Sequence, residues 1–401
     1  MIGDYIEALY KEIANTAPHI INKKIQTIYL GGGTPNILSP EQLTGIVDFL
    51  GQHFDTSEIM ELNIELNPYP TQEIYNLISY FHNHFKKRPR LRFSFGIQTF
   101  DNQILQDVRR PVSFGGLTDF LRGLREIKQE NMVFNFDFIA FGKFGETRKG
   151  EAQLWDPGKI DFFDRFASSQ FADSFSLYTL ELFPGSKWQS KTPDQAISGT
   201  YYGSDDDIFA EFAYLKDIIL DAWYHRYESS NFSKPGVSSI HNRVYRTMQN
   251  YIGFWPSASS FSRLEGLGGL DGLGRLEGLD RLGRLEGLDG LGGLDKEVKA
   301  VRWTNTSNLV EYLKGDYIDQ SKTVFMTEKD LLIESFFLWL RTDTGVSDLD
   351  KYISILVKNY KELVEAYKDE WLLYDVDDRL LLTDKGMDVS NTIITDLLKD
   401  I

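Results

Sequence analysis

Short apolar runs alternate with amphipathic segments through the first half of the chain. Apolar or alternating runs, which predict strands, cover residues 25–30, 61–66, 91–97, 133–141 and 174–182. Helical spacing of apolar residues lies between them, at 4–14, 39–50, 71–85 and 115–130. Strands and helices in turn at this spacing predict parallel βα units, as in an α/β barrel, with polar residues just after the strands on one face.

The last hundred residues carry a different pattern. Helical spacing covers residues 308–314, 328–342 and 348–368, and two short apolar runs within 372–386 flank a turn at 375–378. Helices followed by a short hairpin predict a winged-helix-like domain. We therefore predict four segments, which are a partial β/α barrel at 1–190, a flanking segment at 191–262, an insertion at 263–295 and a C-terminal helical domain at 296–401.

The insertion at 263–295 contains only Leu, Gly, Asp, Glu and Arg, with leucine at every third position from Leu264 to Leu294. A period of three matches neither a helix nor a strand, and the many glycines weaken a helix further. We predict a flexible surface loop, against the alternative of a short leucine-rich solenoid, whose repeats are longer than this one.

The composition narrows the class of protein. The 43 Lys and Arg residues against 59 Asp and Glu give a net charge of −16, which argues against sequence-independent binding to nucleic acid. The chain shows no apolar run long enough for a transmembrane helix and no signal-peptide pattern at its start, so we expect a cytoplasmic protein. It has no cysteine, and therefore no disulfide and no thiolate ligand.

A glycine-rich motif follows the first predicted strand, where residues 31–35 read GGGTP. Glycines let a ligand approach the backbone N–H and C=O groups closely. The residues alone leave a phosphate loop, an amino-acid clamp and a tight turn open. The spacing of a P-loop or of a dinucleotide-binding fingerprint is absent.

Four polar residues stand in or near the ends of the later strands and their loops, namely Glu65, Gln98, Arg110 and Asp137. Each one alone is more typical of a solvated or structural polar group. Together, in a row of barrel strands, they predict a small-molecule site.

The ordered motifs GGGTPNILSPEQL, ELNP, GIQTFD, NFDFI, RYESSNF, HNRVY and FLWLRTDTGV run through nearly the whole chain outside the insertion. This set resembles the oxygen-independent coproporphyrinogen III oxidase family of radical SAM proteins, and in particular its heme-chaperone, HemW-like branch. The resemblance implies a TIM-like (β/α)6 radical SAM barrel followed by a C-terminal helical domain.

The resemblance also implies ligands and their residues. S-adenosylmethionine would lie across the top of the barrel, with Gly32, Gly33 and Thr34 at its amino-acid end. Its other polar groups and its ribose would contact the four polar residues at the strand ends. His241, in the HNRVY motif, is the residue that this branch links to heme, and a structural hydrogen bond is the alternative role for it.

The chain departs from the family at its start. The family begins with a strand and a CxxxCxxC loop, which hold a 4Fe–4S cluster, ahead of the helix that here begins at Asp4. Without those residues we expect an open barrel edge with exposed apolar surface, no bound cluster and no cleavage of S-adenosylmethionine. The HNxxYW pattern also ends here in Arg246 instead of tryptophan.

The expected function is therefore that of a heme chaperone that binds S-adenosylmethionine and heme and lacks radical chemistry. The alternatives are a cluster-free carrier of heme or porphyrin and a coproporphyrinogen dehydrogenase of porphyrin biosynthesis.

Four tryptophans occupy positions where the family pattern has glycine, namely Trp223, Trp255, Trp339 and Trp371. Glycine suits helix ends and tight turns that an indole would strain. We hypothesise that UGA codons meaning glycine in the source organism stand here as tryptophan, against the alternative of genuine substitution.

Overall fold

The computed structural model describes residues 2–86, 89–142, 145–146, 152–153, 157–182, 203–267, 298–374 and 377–398. The strands are β1 (Thr27–Leu30), β2 (Glu61–Leu66), β3 (Arg90–Gln98), β4 (Met132–Ala140), β5 (Gly145–Glu146), β6 (Ala152–Gln153), β7 (Ser174–Thr179), β8 (His225–Glu228), β9 (Asn231–Ser233), β10 (Ser259–Arg263), β11 (Val298–Asn305), β12 (Ile318–Thr327), β13 (Leu372–Tyr374) and β14 (Leu380–Leu382).

The helices are α1 (Ile2–Thr16), α2 (Pro40–His53), α3 (Thr71–His84), α4 (Asn102–Asp107), α5 (Phe114–Ile127), α6 (Pro157–Ser168), α7 (Asp205–Asp221), α8 (Ile240–Arg246), α9 (Leu309–Leu313), α10 (Glu328–Leu340), α11 (Tyr360–Tyr367), α12 (Asp384–Asp388) and α13 (Ser390–Leu397). Among the described residues, no helix is long and apolar enough to cross a membrane.

The chain forms two compact units that do not follow the order of the sequence. The first unit joins Met1–Ile28, Glu41–Met60 and Ser239–Ile401, and the second joins Tyr29–Pro40 and Glu61–Ser238. The four consecutive segments drawn from the sequence stay a prediction.

The second unit is built on a seven-stranded sheet in the order β1-β2-β3-β4-β7-β9-β8. The pairs β2/β3, β3/β4 and β4/β7 are parallel, as the alternation of strands and helices predicts, and β7/β9 and β9/β8 are antiparallel. The α/β class is therefore confirmed, and the antiparallel strands β8 and β9 are features that the apolar pattern did not reveal.

The two faces of this sheet differ completely in chemistry. Successive side chains of a strand point to opposite faces, so alternation along each strand gives each face one character. One face carries aromatic rings, with Phe93 beside Phe134 and Phe136 beside Phe175 in register. Helices α5 and α6 cover that face and contribute Phe120, Phe163 and Phe166 to its ring contacts.

The opposite face of the sheet is polar although it is buried. Arg92 donates to Asn135 Oδ1 (3.2 Å) and to Ser174 Oγ (2.7 Å). Asn135 in turn donates to Ser176 Oγ (2.9 Å) and to Asp137 Oδ1 (2.7 Å). These bonds satisfy polar groups that burial would otherwise destabilise, and they hold the strands in one register.

Strand β1 stands at one end of the order of described strands. The sequence predicts a buried strand here, but only Ile28 of its four residues is buried and Tyr29 is 37% exposed. A strand at a sheet edge has a neighbour on one side only, which explains the exposure. This position agrees with the prediction of an open edge.

In the first unit, helix α1 is anchored by a buried carboxyl group. Glu12 accepts hydrogen bonds from Asn305 Nδ2 (2.5 Å), from Tyr312 Oη (2.5 Å) and from the backbone N–H of Trp255 (3.1 Å). Burial raises the pKa of Glu12 to about 7 in spite of these donors. The three-stranded antiparallel sheet β10-β11-β12, which contributes Asn305, was not predicted from the sequence.

The C-terminal helices and the hairpin β13/β14 enclose an apolar core, as the winged-helix-like prediction requires. The predicted helix at 348–368 is interrupted, because Leu349–Tyr352 form a short 3-10 helix and α11 begins only at Tyr360. The backbone N–H of Val357 bonds to Leu397 O (3.0 Å), and Leu356 bridges to Leu398. Pairing with the end of α13 therefore replaces helical bonding in this segment.

The insertion is described only at its start. Residues 264–267 form a short 3-10 helix, and Leu267 is buried against Val301 and Trp303. These residues are therefore structured, contrary to the prediction of a loop from residue 263. The rest of the predicted loop lies outside the described residues.

Two of the four unusual tryptophans have a backbone conformation that favours glycine. Trp223, just after α7, has a φ of 67° and Trp255 has a φ of 117°, both in the region that L-residues rarely adopt. Trp339 lies within α10 and Trp371 is not among the residues with positive φ, so the expectation of a strained backbone is wrong for these two. The conformation supports the glycine hypothesis at positions 223 and 255.

Replacing Trp223 by glycine is expected to stabilise the protein. The indole is 87% exposed and loses little packing, whereas glycine removes roughly 1 kcal/mol of backbone strain. Urea unfolding of Trp223→Gly measures the change. Trp303→Gly is the matched control, since Trp303 is 3% exposed on β11 and its loss is expected to cost about 3–5 kcal/mol. Lower stability of Trp223→Gly would contradict the expected backbone strain at this position.

Candidate functional site

The predicted site residues of the second unit come from the ends of its parallel strands and the loops that follow them. The GGGTP loop follows β1, Glu65 and Asp137 lie near the ends of β2 and β4, and Gln98 is the last residue of β3. Arg110 lies in the loop between α4 and α5. The carboxyl ends of parallel strands share one edge of a sheet, which is where α/β proteins place their sites.

The glycine loop is held by Glu65. Its Oε2 accepts the backbone N–H of Gly32 (3.1 Å), and its Oε1 accepts a short hydrogen bond from the hydroxyl of Tyr29. Gly32 has a φ of 79°, which favours glycine, and a Cβ at Gly31 would lie 2.8 Å from the Glu65 carboxyl carbon. A Cβ at Gly32 or Gly33 would meet nothing within 4 Å, so this side of the loop is open to a ligand.

Asn67 links three of the elements around the site. Its backbone N–H donates to Asn36 Oδ1 (3.1 Å), and its side-chain Nδ2 donates to Thr34 Oγ1 (3.1 Å). Its Oδ1 accepts a short hydrogen bond from Arg110 Nη1. Asn67 and Asn36 were not predicted as site residues from the sequence, although the ELNP and GGGTPN motifs contain them.

Gln98 approaches the same group across a glycine. A Cβ at Gly96 would lie 2.8 Å from Gln98 Nε2, 3.7 Å from Arg110 Nη2 and 3.9 Å from Asn67 Oδ1. A side chain at this position would crowd the Gln98 amide, which would have to move away from the other two polar groups. Gln98 itself has a φ of 68°, an unfavourable conformation of the kind that is concentrated at functional sites.

Asp137 lies on β4, partly buried like Glu65. Burial raises its pKa to about 6, and the neighbouring charge of Glu65 contributes in the same direction. The Ser176 hydroxyl and Asn135 amide donate to it, and together with the charge of Arg92 they oppose the shift. Two carboxyl groups therefore lie close together here, at a place suited to the hydroxyl groups of a ligand.

His241 belongs to the first unit and is 7% exposed on helix α8. Its Nδ1 lies 2.8 Å from Thr27 Oγ1 and its Nε2 lies 2.7 Å from the hydroxyl of Tyr245. Both ring nitrogens are thus engaged, as the structural alternative for His241 requires. Tyr245 is 39% exposed, so its hydroxyl can leave Nε2 without disturbing the core.

The side chains available as ligands determine which metal or cofactor the chain could bind. It has no cysteine thiolate, and no three His, Asp or Glu side chains of the described residues are grouped as metal ligands. A 4Fe–4S cluster therefore does not fit this chain. The open glycine loop with Glu65 and Asp137 fits a ligand with an amino group and hydroxyl groups. The Nδ1 contact of His241 with Thr27 fits an imidazole oriented for iron through Nε2.

The pKa of Asp137 should respond to its two neighbours in opposite directions. Glu65→Gln removes a negative charge and should lower this pKa, whereas Ser176→Ala removes a hydrogen bond to the carboxylate and should raise it. Carboxyl ¹³C NMR titration of aspartate-labelled protein measures both changes.

The same raised pKa should make the free energy of unfolding fall as the pH rises from 3.8 to about 6, because the unfolded chain loses its proton first. Glu73→Gln, an exposed change on α3, is the control for the titration. An unchanged Asp137 pKa in Glu65→Gln would show that the two carboxyl groups are not coupled.

This chain is similar in sequence to heme chaperone HemW proteins and to a coproporphyrinogen III oxidase. It is 24% identical over 404 residues to the heme chaperone HemW of Lactococcus lactis, covering 100% of this chain and 90% of that protein. It is 23% identical to heme chaperone HemW of Bacillus subtilis, covering 98% and 90%. An oxygen-independent coproporphyrinogen III oxidase of Synechocystis is 29% identical over 41% of this chain and 34% of its own length. No family model matches the chain.

The fold has a solved counterpart. The coproporphyrinogen III oxidase HemN from Escherichia coli, described as a radical SAM enzyme, superposes with a TM-score of 0.65 at 17% identity and covers 98% of this chain and 82% of its own. The fold of this chain is therefore the mixed α/β fold of that enzyme. Along its whole length the chain is similar to the heme chaperone HemW proteins of Lactococcus lactis and Bacillus subtilis, and over part of its length it is similar to a curated oxygen-independent coproporphyrinogen III oxidase.

Proposed function

We propose that this protein is a heme-binding chaperone that keeps a site for S-adenosylmethionine and carries out no radical chemistry as the chain stands. The observation that carries the proposal is the similarity to heme chaperone HemW over the whole chain. The absence of cysteine supports the second part, because the reductive cleavage of S-adenosylmethionine requires a 4Fe–4S cluster.

In the second unit, the proposed S-adenosylmethionine site uses the seven residues predicted from the sequence. The open loop of Gly32, Gly33 and Thr34 would receive the amino-acid end of the ligand. Glu65 and Asp137 would accept hydrogen bonds from its amino and hydroxyl groups, and Gln98 and Arg110 would complete the polar wall. Asn67 would act as a positioning residue, since it holds both Thr34 and Arg110.

In the first unit, His241 would bind heme iron through Nε2. Thr27 accepts from Nδ1–H in this tautomer, which leaves the lone pair of Nε2 for the hydroxyl of Tyr245 or for iron. When heme binds, it supplies the iron and its own carboxylates. The protein orients the imidazole and exchanges one hydrogen bond for one coordinate bond.

The second candidate is a carrier of heme or porphyrin that uses neither S-adenosylmethionine nor a cluster. The acidic charge of the chain and the complete Thr27–His241–Tyr245 arrangement are compatible with both. A coproporphyrinogen dehydrogenase of porphyrin biosynthesis is a weaker candidate, because it requires the cluster that this chain does not fit. Cytoplasmic location and the absence of nucleic-acid partners stay part of the proposal.

Heme titration tests the role of His241. Addition of heme should give a Soret band that is weakened in His241→Ala and unaffected in His84→Ala, a control at an exposed histidine on α3. Tyr245→Phe should bind heme up to roughly tenfold more tightly, because no hydrogen bond to Nε2 has to be broken. Identical titrations of the wild type and His241→Ala would remove His241 from the site.

Binding of S-adenosylmethionine should be weak. In this family, cysteine thiolates hold the cluster iron, and that iron anchors the amino and carboxylate groups of S-adenosylmethionine. This chain has no cysteine. Isothermal titration calorimetry of the wild type and of Glu65→Gln measures the binding. Any residual binding should be lost in Glu65→Gln, which can no longer balance a cationic amino group. Tight binding to the wild type would contradict the dependence on the cluster.

A further inference from the structure

The carboxyl group of Glu12, which anchors α1 in the first unit, has no cationic partner among the described residues. Glu12 is 4% exposed, and its hydrogen bonds come from the neutral groups of Asn305, Tyr312 and the Trp255 backbone. Acidic side chains are seldom buried unless a cation or a metal ion pairs with them, because an isolated charge is strongly destabilised away from water. The burial of Glu12 therefore needs a further explanation.

The donors around Glu12 are arranged for its ionised form. Asn305 Nδ2 donates to Oε1, and Tyr312 Oη and the backbone N–H of Trp255 donate to Oε2. A protonated carboxyl group is itself a donor through one oxygen, so one of these three contacts would have to turn or break. Trp255 donates to Glu12 through its backbone only, so glycine at this position would make the same contact.

Burial nevertheless raises the pKa of Glu12 to about 7. The titratable side chains that face it are Tyr5 of α1 and Tyr312 of α9. Burial and the charge of Glu12 raise the pKa of both tyrosines, so both stay neutral. Above pH 7 the carboxylate is thus ionised, and no positive charge of the described residues is paired with it.

Glu12 and Asn305 both line a small cavity of the first unit. The cavity measures about 20 Å³, and the aromatic side chains of Phe254, Trp303 and Tyr317 form part of its wall. A water-sized particle needs roughly 10–15 Å³ by this measure, so the cavity has room for one. The ligands that fit are therefore a water molecule or an ion of similar size.

The wall of the cavity offers three kinds of group that attract a cation. Glu12 contributes a carboxylate. The hydrogen bonds of the Asn305 side chain to described residues use only its Nδ2, which leaves its amide oxygen as an acceptor. Aromatic rings attract a cation to their faces through the negative charge of the π system. A cation would gain from all three, whereas a neutral molecule would leave the charge of the carboxylate uncompensated.

We propose that this cavity binds one monovalent cation of about the size of a water molecule, such as potassium or ammonium, with Glu12 as its counter-charge. The cation would neutralise the buried carboxylate and so strengthen the anchor of α1. The cavity has no room for the water ligands that Ca²⁺ or Mg²⁺ would need beside a single carboxylate. The site uses none of the residues assigned to S-adenosylmethionine or heme, so it does not depend on the proposed function.

Hydrogen exchange of α1 measures the effect of the cation. The amide exchange of residues 2–16 is followed by mass spectrometry at pH 8 in potassium chloride, in ammonium chloride and in tetramethylammonium chloride, all at one ionic strength. Tetramethylammonium is too large for the cavity. At a potassium or ammonium concentration of about ten times the dissociation constant, α1 should exchange roughly tenfold more slowly than in tetramethylammonium, because the ion binds only the anchored state.

Three variants and a change of pH test the role of the carboxylate. Glu12→Gln should remove the difference between the salts, and Tyr312→Phe, which keeps the charge, should retain it. Glu7→Gln is the matched control on the same helix, since Glu7 is exposed and paired with Lys11, and it should behave as the wild type. In the wild type the difference should fade as the pH falls from 8 to about 5.5, because protonation removes the charge that holds the cation.

The outcomes decide the proposal without reference to heme or S-adenosylmethionine. Slower exchange in only one of the two small cations would support the site and identify its ion. Equal exchange in all three salts at pH 8 would overturn it, and the cavity would then be a water site beside a carboxyl group neutralised by a proton. A difference that persists in Glu12→Gln, or in the wild type at pH 5.5, would also overturn it, because the effect would not depend on the carboxylate.

Discussion

The different chemistry of the two faces of the seven-stranded sheet is the constraint on which the second unit depends. Phenylalanines on one face pack under helices α5 and α6, and the polar side chains on the other face bond to one another. Because side chains alternate strictly, a shift of one residue in any strand would place arginine among the rings and phenylalanine among the carboxylates. The apolar face thus fixes the register, and the register fixes which polar groups meet at the strand ends.

The site follows from that register. Glu65 and Asp137 lie on the polar face, and Gln98 ends the strand between theirs, so their relative positions are set by the sheet. The glycine loop and Arg110 are not on strands and need separate restraints, which Glu65 and Asn67 supply through bonds to Gly32, Thr34 and Arg110. A site assembled in this way is rigid at its base and open above Gly32 and Gly33, where a ligand would enter.

The sequence was most informative where periodicity is strong. Strands β2, β3 and β4 and the helices after them could be predicted closely, because their apolar residues alternate or recur at helical spacing. Strands β8 and β9 could not, since most of their residues are polar, and they join the sheet through the pairing of β9 with β7 and of β8 with β9. Residues 353–359 read as helix from their apolar spacing, but a contact with Leu397, distant in sequence, decided their conformation. The site residues were predicted through motifs, and Asn67 was missed because its role is to bind other protein groups.

The anchoring of Glu12 by Asn305 and Tyr312 has a consequence for how the molecule is made. These contacts join residues separated by 293 and 300 positions, so α1 cannot be anchored until Tyr312 has been synthesised. The second unit is complete once Ser238 has emerged from the ribosome. Contacts between distant residues form slowly, so α1 must wait with its apolar face uncovered after the second unit has folded. The order of synthesis therefore leaves α1 exposed to chaperones and proteases while the rest of its unit is being made.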